Sequence, residues 1–181
     1  MTPSARNIKK LPKSVTSNQE LIEDAMVCGC LRAQVIMTKT ISLARWVKIQ
    51  CQYGCPHYAN RYTCPPSSPT LDEMSDLLMD YERALVIQAD QAQRVREIVV
   101  ALEGKFRTKG YHKAFGLCAL PCDLCEVCTV ETQCKYPELA RPTLQACGID
   151  VPKTIGNTGW EFGTFSQPCS ESQPFGLVLL Q

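Results

Sequence analysis

Ala84-Leu85-Val86-Ile87-Gln88-Ala89 is a short, almost continuous apolar run, and directly after it the period changes: Ala92, Val95, Ile98, Val99, Leu102 and Phe106 fall on one helical face. The first stretch reads as a buried strand and the second as a longer helix stopped near Gly110. Upstream, Thr70 and Glu73 form a capping box, and Leu71, Met74, Leu77, Leu78 and Tyr81 follow it at helical spacing. Further back, Leu43 to Ile49 and Ala33 to Met37 read as strands, and Ser17 with Glu20 predicts a helix running to about Val27. Downstream, Tyr111 to Leu117 reads as a strand leading into a cysteine-rich loop. A short helix is expected from Pro142 to Gly148 and a terminal strand over Phe175 to Leu180. The order predicts an α/β fold, an α+β sandwich in which helices pack on a small mixed sheet and cysteine-rich loops gather at one end. Residues 1–16, with Arg6, Lys9, Lys10 and Lys13, read as a flexible, solvated basic tail, and residues 17–181 as a single cysteine-rich metal-binding domain.

The chain has 181 residues, enough to bury a sizeable core without a metal or disulfide staple. Its 19 basic and 18 acidic side chains nearly cancel, which disfavours nucleic acid or an anionic membrane as partner. Twelve cysteines point either to a disulfide framework or to metal ligation in a reducing compartment. The polar N-terminus lacks the apolar core of a secretory signal, no run has the length of a membrane span, and some cysteines are too crowded to anchor separate staples. These features favour metal and a cytoplasmic location.

The crowded set is Cys122-Asp123-Leu124-Cys125-Glu126-Val127-Cys128, followed by Cys134. A cubane iron–sulfur core wants one thiolate per iron, and two-residue gaps let a loop curl round it and present three sulfurs in succession. Bacterial ferredoxins use the same logic with a further cysteine and a proline beyond. Here the gap to Cys134 is longer and proline arrives only at Pro137. Zinc is the rival, although structural zinc usually takes two separated Cys-x-x-Cys knuckles. A c-type haem is ruled out, because Glu126 and Thr129, not histidine, follow Cys125 and Cys128. A second set, Cys51, Cys55 and Cys64, lies in a stretch from Gln50 to Pro69 rich in proline and read as irregular, with Gly54 permitting a turn and Pro65-Pro66 stiffening the exit. Its fourth partner is open among Cys28, Cys30, Cys118, Cys147 and a non-protein ligand. Buried free cysteines are the plainer alternative for this set. Cys147 reads as core, and Cys169 carries no expectation. Lys48, Arg45 and Arg61 flank the second set and could offset thiolate charge or bind an anion. His57 could ligate or move protons but reads better as surface, His112 as structural, and Trp46 and Trp160 as packing residues that could shield a cluster.

Trp46-Val-Lys48, Cys51-Gln-Tyr-Gly-Cys55-Pro-His-Tyr58, Thr63-Cys64-Pro-Pro, Lys113-Ala-Phe-Gly-Leu117, Pro121-Cys-Asp-Leu-Cys125-Glu-Val-Cys128 and Ala140-Arg-Pro-Thr-Leu-Gln-Ala-Cys-Gly-Ile-Asp-Val151 together resemble one family, the predicted metal-binding proteins of domain of unknown function 2284. The resemblance covers roughly Ala33 to Leu180, and it implies a cysteine-rich, metal-binding protein of the kind found in anaerobic bacteria and archaea. Cys118 stands where a small residue such as glycine is expected, and Cys28 and Cys30 lie outside the shared region.

The leading expectation is an iron–sulfur protein of anaerobic redox metabolism, holding one [4Fe–4S] cluster, or two if the second set also ligates, in electron transfer or as a redox accessory. Two alternatives stand beside it. One is an enzyme whose three-cysteine cluster leaves an iron open to substrate; the other is a zinc-stabilised interaction module. The partner is then a redox protein or a small-molecule substrate, and a homodimer is permitted.

Overall fold

The computed structural model describes residues 16–162 and 174–181. Residues 1–15 of the expected tail and Cys169 lie outside the described residues. Five helices, α1 (Asn18–Val27), α2 (Arg45–Gly54), α3 (Leu71–Met79), α4 (Val95–Thr108) and α5 (Val151–Gly156), accompany four strands, β1 (Arg32–Met37), β2 (Arg83–Gln88), β3 (Phe115–Leu117) and β4 (Phe175–Leu180). Both expected capping boxes form. The Ser17 and Thr70 backbone N–H groups each donate to the glutamate three residues on at 2.8 Å, and each hydroxyl accepts from that glutamate's N–H at 3.2 Å.

The strands make one sheet in the order β1-β2-β4-β3, so the last strand of the chain inserts between β2 and β3. Every ladder is antiparallel, where a mixed sheet was expected. The central strands are covered on both faces, which is why they read as continuous apolar runs. Leu85, Ile87, Val178 and Leu180 meet α1 and α4 through Leu21, Ala25, Ile98, Val99, Leu102 and Phe106. Ala84, Val86, Leu177 and Leu179 meet Met74 of α3 and Val151 and Ile155 of α5 on the other face. The fold class is thus α+β, with helices on both sides of a four-stranded sheet. Helix α4 lies tight against β3 and β4. A Cβ built on Gly116 would meet Val99 Cβ at 2.9 Å, and one on Gly176 would meet Val95 Cγ1 at 2.6 Å.

Three expectations need correction. Leu43 to Ile49 is not a strand, and helix occupies the start of the stretch read as irregular. Only Leu43 makes a bridge, to Ile149, and α2 then runs from Arg45 to Gly54. Trp46, Val47 and Ile49 are strand-forming by composition. The buried positions, however, are Val47 and Cys51, four apart on one helical face, with Trp46, Ile49 and Tyr53 outward. Second, β3 is only Phe115–Leu117, because Tyr111 is still tied to α4 through its N–H to Phe106 O at 3.0 Å. Third, Pro142 does not open a helix. Its carbonyl accepts from Cys118 N–H at 2.8 Å, Cys118 bridges Thr143, and a 3₁₀ turn over Gln145–Cys147 precedes Gly148. Helix α5 was not anticipated, although its signal is present: Asp150 caps it by accepting from Lys153 N–H at 3.0 Å, with proline next to its start. No helix among the described residues is long and apolar enough to cross a membrane.

Candidate metal centre

Beyond β3 the chain leaves the sheet at Cys118 and returns to it at Thr143 and Leu144, whose N–H donates to Cys118 O at 2.9 Å. The excursion between these points is the cysteine-rich loop. Helix α4 fixes both ends of that loop. Arg96 pairs with Asp123, next to Cys122. Arg141, where the loop ends, pairs through Nε and Nη2 with the buried Glu103, the second bond at 2.8 Å. Arg141 Nη1 also donates to Pro137 O at 3.1 Å and Ala140 O at 2.7 Å, and Glu103 Oε1 accepts from Gly116 N–H at 2.6 Å. One buried ion pair therefore joins α4, β3 and the return of the loop.

Held in this way, Cys122, Cys125, Cys128 and Cys134 line a single cleft of about 320 Å³, its open mouth included. Arg61, Tyr62 and Thr63 form the opposite wall. Arg61 Nη1 donates to Cys125 O at 3.0 Å, and the Tyr62 backbone N–H donates to Cys128 Sγ at 3.3 Å. Burial pushes the Cys122 thiol up, against the Leu124 backbone N–H and the Arg96 charge, which pull it down.

Cys51, Cys55 and Cys64 line a second cleft of about 340 Å³ with Tyr58, Pro65, Ala119, Pro121, Thr143, Gln145 and Ala146. Cys51 is presented by the last turns of α2, whose entry is docked by Ala44 N–H on Gly148 O at 2.9 Å and whose buried face meets the 145–147 turn. Lys48, one turn before Cys51, points inward. Its Nζ donates to Pro69 O at 2.8 Å and Ala146 O at 2.7 Å, clamping the loop against that turn. Burial pushes the Lys48 pKa down, opposed by the sulfurs of Cys147 and Cys51. Burial also drives Cys64 up to about 12 and raises Cys51.

The remaining described cysteines line neither cleft. Cys30 and Cys118 sit in the core under α1 and α4, with Cys28 packed against it, and Cys147 sits in the core on the other face. Arg61 serves the first cleft, not the second; Arg45 and His112 are exposed, and His57 is half-buried outside both clefts. Trp46 is largely exposed on α2, and Trp160 stacks under Arg32, 4.2 Å from guanidinium to ring centre. Thr63, Gln145, Arg96 and the Glu103–Arg141 pair were not singled out in the sequence. Thr63, Arg141 and Gln145 fall inside the motifs that carry the family resemblance, but their roles lie in contacts far along the chain.

The donor set tests what could be held. Among the described residues, no three His, Cys, Asp or Glu side chains are drawn together at single-ion distance. Thiolates round a tetrahedral zinc would stand about 3.8 Å apart, given Zn–S of about 2.3 Å. The thiols here line the walls of two open clefts, and thiolate is the ligand both of structural zinc and of iron–sulfur cores. The second cleft also carries an orphan, Gln145 Oε1, buried and without a hydrogen-bond partner. Thiol-lined walls fit a thiophilic metal group.

No curated protein and no solved structure matches the chain at a significant level. Residues 34–180, most of the length and both cysteine sets, match a family model described as predicted metal-binding protein, so the chain belongs to the family of domain of unknown function 2284.

Proposed function

We propose that the chain is an iron–sulfur protein in which Cys122, Cys125, Cys128 and Cys134 hold a [4Fe–4S] cluster, acting inside the reducing cytoplasm in electron transfer or as a redox accessory to a partner protein. The observation that carries this reading is that all four thiols line one cleft. A bound cluster supplies one-electron redox chemistry. The chain's part is to carry its charge: the Tyr62 N–H on Cys128 Sγ and the nearby Arg61 and Arg96 stabilise anionic sulfur, a factor that raises reduction potential. Anaerobic purification followed by iron and acid-labile sulfide analysis tests the proposal. Sulfide and iron in near-equal amounts support it, whereas colourless protein with stoichiometric zinc and no sulfide overturns it in favour of a zinc-stabilised interaction module.

A specific observation favours a second reading, an enzyme. Among the described residues, three cysteines line the second cleft, and so does Gln145, whose Oε1 is buried without a hydrogen-bond partner. Three thiolates leave one iron of a cubane to a non-cysteine ligand, and Gln145 can accept a hydrogen bond from a small polar molecule there. Titrating candidate small molecules into the reduced protein should shift its spin-resonance signal. A signal indifferent to all of them, with iron present in the second cleft, removes the enzyme reading.

A further inference from the structure

We infer that Thr63 joins the two cysteine clefts into one paired site, so that metal held in one strengthens the binding of metal in the other. The inference rests on the metal-binding reading above. Thr63 is a buried polar residue, 6% exposed, between the two spaces. Its Oγ1 accepts from the Cys122 backbone N–H at 3.4 Å, on the first cleft. Thr63 is also the chain neighbour of Cys64, which lines the second cleft. One residue earlier, the Tyr62 N–H donates to Cys128 Sγ at 3.3 Å.

The wall itself is common to both clefts. Thr63 lines the first and Cys64 the second, and on the facing segment Cys122 lines the first and Pro121 the second. Fixing Cys64 on a metal restrains the backbone of its neighbour Thr63, and the Thr63 hydroxyl in turn restrains the backbone of Cys122. The conformational entropy lost in ordering the wall is spent at the first binding event and is not lost again at the second. Such a linkage is positive and reciprocal, commonly ~5–150-fold in affinity.

The test is stepwise loading of metal-free protein with ferrous iron and sulfide under anaerobic conditions. Iron and sulfide per chain are read at each step, and the reduced spin-resonance spectrum at the end. The wild type should fill both clefts together and give the broadened spectrum of neighbouring spins. Thr63→Val keeps every cysteine and the side-chain shape but removes the hydroxyl; its clefts should fill independently, each with several-fold weaker loading. Thr63→Ser should restore joint filling. Circular dichroism checks that the variants fold. If the wild type itself fills one cleft without regard to the other, or takes up iron in one cleft only, the inference is overturned whether or not any variant folds. It is equally overturned if Thr63→Val loads as the wild type does. Wild type that binds no iron at all defeats the underlying reading instead.

Discussion

Cys118 and Cys147 are each enclosed by apolar core, and burial pushes both thiols up to about 12. A thiol enclosed in this way with no cleft beside it acts as a small hydrophobe; Cys64, equally raised, differs in lining the second cleft. Cys51 and Cys125 stand outside both cores, and each borders a space that other thiols also border. Cys118→Ala and Cys147→Ala should therefore leave metal content unchanged while lowering stability by about 1 kcal/mol, roughly what losing one buried methylene-sized group costs. Cys51→Ser and Cys125→Ser should lower metal content at the second and first cleft respectively. Metal analysis of the four purified variants, beside their denaturant midpoints, checks both halves. Full metal in Cys125→Ser would remove that residue from the ligand set.

Helix α4 is the element on which the rest is hung. Glu103 is buried with Arg141 equally enclosed, so Glu103→Gln leaves an uncompensated guanidinium in the interior and should cost about 3–5 kcal/mol in chemical denaturation. Arg96→Ala at the other end of the loop should cost under about 1 kcal/mol, because its partner Asp123 is 71% exposed. Helix α1 is tied to α4 by Asp24, which pairs with Lys105 at 2.7 Å and with Lys109. Burial alone would raise the Asp24 carboxyl, but the hydrogen bonds and charges of the two lysines outweigh it, so the folded pKa lies below the ordinary value. Stability from Asp24 is then complete above about pH 4 and is lost as pH falls through the lower folded value. Asp24→Asn should be about 1–3 kcal/mol less stable than wild type at neutral pH, with the gap closing under acid in a pH series of unfolding curves. The elements themselves were legible where a capping box or a sustained apolar pattern marks them, as in α1, α3, α4 and the central strands. They were illegible where two buried residues decide, as with Val47 and Cys51 of α2, or where tertiary pairing sets the length, as in β3. The cysteine spacing pointed to the two sets. It could not show that Thr63 lies between them, because that depends on segments about 60 residues apart meeting.

Across the whole molecule, the seven cysteines that line the clefts are absent from both apolar cores, while Cys30, Cys118 and Cys147 belong to them. The sheet and the helices that cover it are held by Leu85, Ile87, Val178, Leu102 and Phe106 on one side and Met74, Leu177, Leu179 and Ile155 on the other, none of which lines either cleft. The clefts are built instead mainly from two excursions, 55–69 and 119–141, with Cys51 of α2 and the 143–146 segment completing the second, and the excursions rest on turns, hydrogen bonds and the α4 ion pairs. Order in those segments should depend on the bound group far more than order in the sheet does. Chelation under anaerobic conditions should therefore lower the melting temperature, since a ligand bound only by the native state stabilises it by mass action. The far-UV circular dichroism at room temperature should nonetheless keep its helix and sheet signal. Hydrogen exchange should rise in 55–69 and 119–141, with α4, β2 and β4 remaining protected. Exchange that rose evenly through the sheet would mean that the metal, not the apolar packing, keeps this chain folded.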